Sequence, residues 1–288
     1  MKMAVFFISL MFFCSPSLAF LPANSNANRQ AGLPQRIVSG MPSNTEIITA
    51  LGLDNQLVGI TDLCNYPRSI ARKPRVGANP LNAEKIVHLN PDLVVLLSDA
   101  QMNDVAHLKQ MKLPVYTVNP HSFADVKKSI VDIGTATGRL AEAKKLVASM
   151  EERIKKILAT VKVANAASPK VFVEIWHDPL TTAAQGTFIN DLIKLAGGTN
   201  IAEAANQPYP QFSPESLIAA DPDVIIVPVE QEKDKEQMYR TARWKNLKAV
   251  RNNNILFIDA DLLSRPGPRL ADAFEIITKF LYPKASRK

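Results

Sequence analysis

Cysteine is scarce in this 288-residue chain, which contains two. Cys14 lies in an N-terminal leader, so only Cys64 remains after cleavage and no internal disulfide can form. We predict that Cys64 is a small, semi-buried residue, because no second cysteine or close histidine supports a metal-binding or nucleophilic role. His88, His107 and His121 lie on different predicted elements, which argues against a dedicated zinc or manganese site.

The short motifs of several enzyme classes are also missing. The sequence contains no Gly-x-Ser-x-Gly, no glycine-rich phosphate-binding loop and no His-Glu-x-x-His. The formal net charge of +7 is moderate, and the basic residues are dispersed rather than interleaved with aromatic ones. We therefore predict a protein that is not an enzyme and does not bind nucleic acid.

An apolar run near the N-terminus is interpreted as a signal peptide rather than as part of the fold. Lys2 supplies a positive charge, residues 3–13 are apolar but too few to span a bilayer, and residues 17–19 form a small-x-small site. We expect cleavage after Ala19, export to the periplasm and no membrane insertion of the mature chain. Residues 20–33 are predicted to be a flexible tether.

A helical pattern occupies residues 138–165. Apolar residues recur at steps of three or four from Leu140 to Val161, and no glycine or proline follows Gly138 within this range. Charged side chains cover much of the remaining surface, so the pattern predicts a long helix with one buried stripe.

Two similar blocks flank this helix. The first runs from Glu84 through Pro91-Asp92 into an apolar segment, and the second runs from Glu215 through Pro222-Asp223 into another. The glutamates and the Pro-Asp pairs are both 131 positions apart (215 − 84 and 222 − 91). Each block predicts a short helix, a turn and a strand that is buried on both faces of a parallel sheet.

The repeat predicts an α/β fold with two similar lobes, each containing a parallel-type sheet. A hydrophobic content of 47% and a charged content of 21% are globular values, and the length suffices for two cores. We predict an N-terminal lobe at residues 34–137, a rigid connecting helix at 138–165 and a C-terminal lobe at 166–288. The ligand cleft is expected between the lobes.

Local signals predict where several helices begin. Ser43 with Glu46 three residues later matches a capping box, and Ser122 with Asp125 is a second candidate. Residues 259–269 are predicted to be a loop that leads into the last helix.

The predicted strand ends indicate a binding site. Ligands bind beyond the carboxyl ends of parallel strands, and two such edges can face each other across a cleft. The side chains there are aromatic with a few polar groups, which favours a large, flat, partly apolar ligand. Arg265 and Arg269 could form local salt bridges or meet amide or propionate oxygens, and His177 could bond Asp178 or contact the ligand or its metal. The predicted ligand-binding residues are Pro42, Ser43, Tyr66, Trp176, His177, Asp178, Tyr209, Phe212, Asp261 and Arg265.

Several of these features together resemble one family. The paired Glu and Pro-Asp blocks, the Tyr66-Pro67 loop, the uninterrupted helix and the segment Arg265-Pro-Gly-Pro-Arg269 are similar to the helical-backbone class of periplasmic substrate-binding proteins. Members of this class serve ABC importers of vitamin B12, haem and ferric siderophores. The resemblance spans residues 36–282, and it is nearest to the vitamin B12-binding members, in which loops like residues 65–67 and 261–269 line the corrinoid cleft.

The resemblance implies both a cargo and a partner. It implies that a monomer without a cofactor carries cobalamin or a related corrinoid to an importer permease. Matching glutamates on the two lobes form salt bridges with permease arginines in this family, so Glu84 and Glu215 are expected to dock the permease. Each glutamate could instead only stabilise its own helix N-terminus, a contribution of ~0.3–1 kcal/mol.

Two alternative functions stay open on the sequence alone. A haem-binding protein of the same class would need an axial ligand, for which Tyr66, Tyr209 and His177 are candidates, whereas an anionic siderophore would need converging arginines. An exported α/β enzyme is the third hypothesis, and the missing catalytic motifs argue against it.

Overall fold

The computed structural model describes residues 32–162, 168–229 and 244–283. The predicted leader and residues 20–31 of the predicted tether lie outside the described residues. Within the described ranges, every helix is either too short or too polar to cross a membrane.

Two four-stranded parallel sheets organise the molecule. The strands are β1 Ile37–Ser39, β2 Leu57–Ile60, β3 Leu93–Leu97, β4 Val115–Val118, β5 Lys170–Val173, β6 Thr199–Asn200, β7 Val224–Val229 and β8 Ile255–Asp259. The first sheet has the order β2-β1-β3-β4 and the second has the order β6-β5-β7-β8, with every pairing parallel. The two sheets therefore share one connectivity, and each is the centre of one lobe.

Helices alternate with these strands. They are α1 Pro42–Ala50, α2 Ala83–His88, α3 Met102–Gln110, α4 Phe123–Ala136, α5 Leu140–Lys162, α6 Phe188–Leu195, α7 Pro214–Ala220, α8 Lys248–Arg251, α9 Ala260–Ser264 and α10 Leu270–Leu281. Because parallel neighbours need a crossover connection, this alternation accompanies the parallel pairing. The predicted α/β fold with two similar lobes is confirmed.

The duplicated sequence blocks occupy matching places in the two lobes. The first block forms α2 and β3, the second forms α7 and β7, and each of these strands is third in its sheet. The Asp92 carboxylate accepts the backbone N–H groups of Gln35 and Arg36, both at 2.8 Å, and the Asp223 carboxylate accepts that of Lys170 at 2.8 Å. The repeated Pro-Asp turn thus fixes the start of β1 in one lobe and of β5 in the other.

The middle of each lobe is buried on both sides of its sheet. Val94 and Val95 of β3 are both 0% exposed, yet they belong to separate hydrophobic clusters. Ile225 and Ile226 of β7 repeat this arrangement in the second lobe. Successive strand residues point to opposite faces, so both faces of each sheet are covered as predicted.

Helix α5 connects the two lobes. Its buried stripe includes Ala143, Met150 and Ile154, and it packs against α4 on one side and α10 on the other. Arg153 adds ion pairs to Asp272 and Glu275 of α10. The connecting helix is therefore held by apolar and charged contacts along its length.

Two local predictions were wrong. Helix α1 begins at Pro42 with Met41 as its N-cap residue and no side-chain cap, so Ser43 and Glu46 form no capping box. Part of the predicted loop after β8 is helix α9, whose start is capped by the Asp259 carboxylate accepting the Asp261 N–H at 2.8 Å. By contrast, the capping box of Ser122 and Asp125 at α4 is confirmed.

Cys64 is more deeply buried than expected. Its side chain is 2% exposed, and its Sγ atom lies 3.2 Å from Thr45 Oγ1 and 3.1 Å from Thr61 Oγ1. The thiol joins the start of the β2 exit loop to α1, which is a structural role.

Candidate functional site

A cavity of about 640 Å³ lies where the carboxyl ends of the two sheets approach each other. One wall comes from the residues that follow β1, β2 and β3, and the opposite wall comes from the segment that follows β8. The lining residues are Met41, Pro42, Ser43, Asp62, Leu63, Asn65, Leu97, Asp259, Ala260, Asp261, Ser264, Arg265 and Pro266. The cavity therefore has the position that α/β sheets give to ligands.

Short connections place these walls. Gly40 follows β1 directly, and its N–H donates to the Val95 carbonyl at 2.9 Å, so the chain stays against β3 before α1 begins. A Cβ on Gly40 would collide with the Leu96 side chain, which explains the glycine. On the other wall, α9 begins immediately after β8 and keeps Asp261 and Arg265 at the cavity.

A buried carboxylate joins the two walls. The Glu46 side chain in α1 is 2% exposed. Its Oε1 accepts from Arg265 Nη1 at 3.0 Å and from Arg269 Nη2 at 2.6 Å, while its Oε2 accepts from Arg269 Nε at 2.8 Å. Two guanidinium groups of the second lobe thus neutralise and hydrogen-bond one carboxylate of the first, which is the condition under which a charge can be buried.

Both terminal nitrogens of Arg265 are engaged by protein groups. Besides Glu46, its Nη1 donates to Asn65 Oδ1 at 2.8 Å and its Nη2 donates to the Leu63 carbonyl at 3.2 Å. It also pairs with Asp261 at 2.6 Å, and Asn65 Nδ2 donates to Asp261 Oδ2 at 2.7 Å. Of the two roles left open for Arg265, the structure shows the salt-bridging one.

Arg269 also contacts an aromatic ring. Its guanidinium carbon lies 4.3 Å from the centroid of Tyr66, which is a cation–π distance. Tyr66 is 46% exposed and follows the lining residue Asn65, although Tyr66 itself is not among the residues that line the cavity. One face is occupied by Arg269, and much of the remaining ring surface is accessible to a ligand.

Ser43 provides an unpaired polar group in the wall. It is 1% exposed, and its Oγ has no hydrogen-bond partner among the described residues. Buried hydroxyl groups are normally paired, so a cargo oxygen or an ordered water would satisfy this one.

The predicted residues after β5 lie at the surface of the second lobe. Trp176 is 65% exposed, and its Nε1 donates to the Asp178 carbonyl at 2.9 Å, which orients the indole ring. His177 is also exposed, and its Nδ1 lies 3.5 Å from the carboxylate of buried Glu174. These residues follow the carboxyl end of their strand as predicted, but they are not among the residues that line the cavity.

Two further predicted residues differ from each other in placement. Tyr209 is 46% exposed in the loop before α7. The Phe212 ring instead packs inward against Phe172, with 5.3 Å between centroids, and belongs to the edge of a hydrophobic core. Phe212 is partly exposed, so contact with ligand stays a prediction for this residue, whose ring also takes part in core packing.

Of the predicted ligand-binding residues, the cavity brings together Pro42, Ser43, Asp261 and Arg265, while Tyr66 is next in sequence to the lining residue Asn65. Sequence reasoning gave no site role to Glu46, although it is the centre of the ion cluster. Its signal in the sequence was an acidic residue directly after the polar run Ser43-Asn44-Thr45, a pattern that also fits a helix cap.

Glu84 and Glu215 stand at matching positions outside this cavity. Each is exposed in the first turn of its helix, α2 or α7. The preceding cap side chains, Asn82 and Ser213, accept N–H groups of those turns at 2.9 and 3.0 Å. Within the described ranges, neither glutamate belongs to an ion pair, so both carboxylates face solvent.

No cluster of three or more His, Cys, Asp or Glu side chains in the described part of the chain is arranged to hold a metal ion. The polar groups of the cavity include an orphan hydroxyl, an amide, the paired charges of Asp261 and Arg265, and the carboxylates of Asp62 and Asp259. Such a set can bind an organic ligand by hydrogen bonds without reacting with it.

Comparison with known proteins places the chain among transport proteins. A family model described as periplasmic binding protein matches residues 37–262. An uncharacterized ABC transporter substrate-binding lipoprotein from Bacillus subtilis is 35% identical over 256 residues, which cover 87% of this chain and 81% of the relative. A vitamin B12-binding protein from Vibrio cholerae is 28% identical over 250 residues, which cover 86% and 89%.

Solved structures agree with this placement. A possible iron-binding (periplasmic solute-binding) protein from Staphylococcus epidermidis superimposes with a TM-score of 0.77 at 29% identity, covering 86% of this chain and 99% of that one. A periplasmic heme-binding protein from Roseiflexus gives a TM-score of 0.75 at 28% identity, covering 87% and 99%.

Proposed function

This chain belongs to the periplasmic binding protein family, and on that premise we propose that it captures cobalamin or a related corrinoid and delivers it to an ABC import permease. The family and the relatives named above are binding and transport proteins, which supports capture in the cleft rather than catalysis. The observation that carries the corrinoid proposal is the cavity between the lobes, whose polar lining is next in sequence to the exposed ring of Tyr66.

The chemistry of a corrinoid matches this cavity. A corrinoid is a broad ring system edged with amide groups, so it needs flat apolar contact together with donors and acceptors at its periphery. Tyr66 offers the first, and Ser43 and Asp62 offer polar groups on the adjacent wall. A cavity of about 640 Å³ accepts part of such a molecule, and the rest would extend along the opening towards exposed side chains such as Trp176.

Titration of the mature protein with cyanocobalamin tests the proposal. We expect a saturable heat signal in isothermal titration with one site per chain, and we expect Trp176→Ala to weaken binding by lost contact area. Tyr116→Phe, on β4 away from the cleft, is the control and should bind normally. Absence of a heat signal with cyanocobalamin and with other corrinoids would refute the proposal.

Haem is the second candidate cargo, because the Roseiflexus structure is that of a heme-binding protein. Coordinated haem shifts its Soret band strongly, whereas unbound haemin does not, so an absorbance titration separates the two cargoes. Desolvation raises the pKa of Tyr209 above its ordinary value. Tyr66, Tyr209 and His177 are the candidate axial ligands of the haem iron.

We further propose that Glu84 and Glu215 dock the permease. Two observations support this docking role. The glutamates have matching positions on the two lobes, and their carboxylates are exposed and unpaired at helix N-termini. We expect Glu84→Ala with Glu215→Ala to leave cargo affinity unchanged and to abolish uptake. Glu152→Ala, which removes an exposed carboxylate from α5, is the matched control. An equal loss of cargo affinity would contradict a docking role.

The remaining features of the proposal concern the exported form. We propose a monomer that reaches the periplasm through its leader and is not inserted in the membrane. Its two lobes would close on the cargo by a slight hinge motion that the stiff α5 helix limits.

A further inference from the structure

The ion cluster at the cleft ends on the aromatic ring of Tyr66. Glu46 holds Arg269 by two hydrogen bonds, from Nε at 2.8 Å and from Nη2 at 2.6 Å, in the fork geometry typical of arginine and carboxylate. The same guanidinium lies 4.3 Å from the Tyr66 centroid. The ring therefore packs on Arg269, and Arg269 is in turn hydrogen-bonded to Glu46.

The three groups come from both lobes. Glu46 in α1 and Tyr66 in the loop after β2 belong to the first lobe, whereas Arg269 precedes α10 in the second. The Glu46 side chain is 2% exposed and that of Arg269 is 14% exposed, so both charges are withdrawn from water and strongly require each other. If the lobes separated, Glu46 would lose both of its arginines and Tyr66 would lose the cation on its inner face.

We propose that Glu46 and Arg269 are positioning residues for cargo binding, which hold Tyr66 as a platform for the flat face of the cargo only when the lobes are together. This inference rests on the proposed function. It assigns Arg269 a contribution to affinity without contact with the cargo, because the arginine acts through the ring that it supports.

Binding of cyanocobalamin, with haemin as the second probe, tests the platform. We expect Tyr66→Ala to raise the Kd about tenfold or more, since alanine substitution of an aromatic platform removes the stacking contact. Arg269→Ala should raise the Kd about fivefold, and Arg269→Lys should raise it by a similar factor because lysine lacks the fork. Arg153→Ala, which removes ion pairs from α5 to α10 among residues that do not line the cavity, is the matched control and should leave the Kd unchanged.

A double-mutant cycle separates positioning from general structural support. If Arg269 acts through Tyr66, then Arg269→Ala should have almost no effect on the Kd when Tyr66 is already alanine. Equal effects of Arg269→Ala in both backgrounds would overturn the proposal. Glu46→Gln should reproduce the Arg269→Ala phenotype. Should that variant fail to fold, Arg269→Gln supplies the same comparison.

A measurement without cargo keeps the inference distinct from the proposed function. Spin labels at Met102→Cys and Gln185→Cys, which are exposed positions on opposite lobes, report the distance across the cleft, and buried Cys64 stays unlabelled. We expect Arg269→Ala to broaden this distance distribution and Arg153→Ala to leave it unchanged. An unchanged distribution in Arg269→Ala would overturn the coupling to lobe closure. Failure of the wild type to bind either probe would instead overturn the proposed function.

Discussion

Replacing Glu46 by glutamine tests how strongly the two lobes are held together. The substitution keeps the shape of the side chain and removes its charge. In the wild type the carboxylate is 2% exposed and lies 3.0 Å from Arg265 and 2.6 Å from Arg269. Glutamine would leave two partly buried guanidinium groups facing a neutral amide, with one carbonyl oxygen to accept their hydrogen bonds.

The size of the effect follows from burial. Removing one partner of a buried ion pair costs about 3–5 kcal/mol, whereas an exposed pair contributes about 0–1 kcal/mol. Arg265 retains Asp261 at 2.6 Å, so part of the charge stays compensated. We therefore expect a loss of about 3 kcal/mol in the free energy of unfolding, which corresponds to a Tm lowered by about 6–12 °C for a protein of this size.

Urea denaturation followed by circular dichroism measures this loss. The matched control is Arg153→Ala, because Arg153 is 45% exposed and its loss should cost about 1 kcal/mol or less. Replacing both partners, as Glu46→Gln with Arg269→Met, should recover part of the stability, since position 269 would then no longer hold a buried cation without its carboxylate. A loss below about 1 kcal/mol in Glu46→Gln would refute the argument that this cluster is buried and mutually dependent.

Two further predictions concern single contacts. Asp92→Ala should lower the free energy of unfolding by about 2 kcal/mol in urea denaturation, because the N–H groups of Gln35 and Arg36 lose a charged acceptor. An unchanged urea midpoint would contradict the role of the Pro-Asp turn in fixing the start of β1. Hydrogen bonds from the hydroxyl and the backbone N–H of Ser122 lower the pKa of Asp125 below its ordinary value of 3.8. The ionised Asp125 carboxylate therefore stabilises the folded state fully above pH 3.8, and this stabilisation is lost as the pH falls through the lowered pKa. Acid titration of stability should therefore be shallower in Ser122→Ala than in the wild type, and identical curves would contradict the assignment.

Much of the fold was predictable because its signals are local and repeated. Apolar periodicity without interruption predicts a helix at any position in a chain, and α5 spans Leu140–Lys162 within the predicted residues 138–165. The two Pro-Asp blocks predicted matching strands, since a β-branched apolar run after a turn is typical of a strand inside a parallel sheet. Helix α9 was missed because its five residues carry too short a pattern to be distinguished from a loop.

The site was less predictable because its contacts are long-range. Glu46 and its partner Arg269 are separated by 223 positions in the chain. The spacing of Ser43 and Glu46 fits a capping box as well as it fits a buried ion pair, and only the tertiary structure distinguishes these. The packing of Phe212 was not predictable for the same reason, since its ring contacts Phe172, which lies 40 positions (212 − 172) earlier in the chain.

The matching positions of Glu84 and Glu215 have a consequence for encounter with a permease. If a receptor offers two equivalent arginine sites related by a half-turn, the binding protein can approach it in either of two orientations, with its lobes exchanged. The two orientations would double the productive encounters, a statistical gain of about 0.4 kcal/mol. The cargo would then face the translocation pathway of the permease in either of two orientations. The permease would therefore have to accept an asymmetric molecule in both orientations.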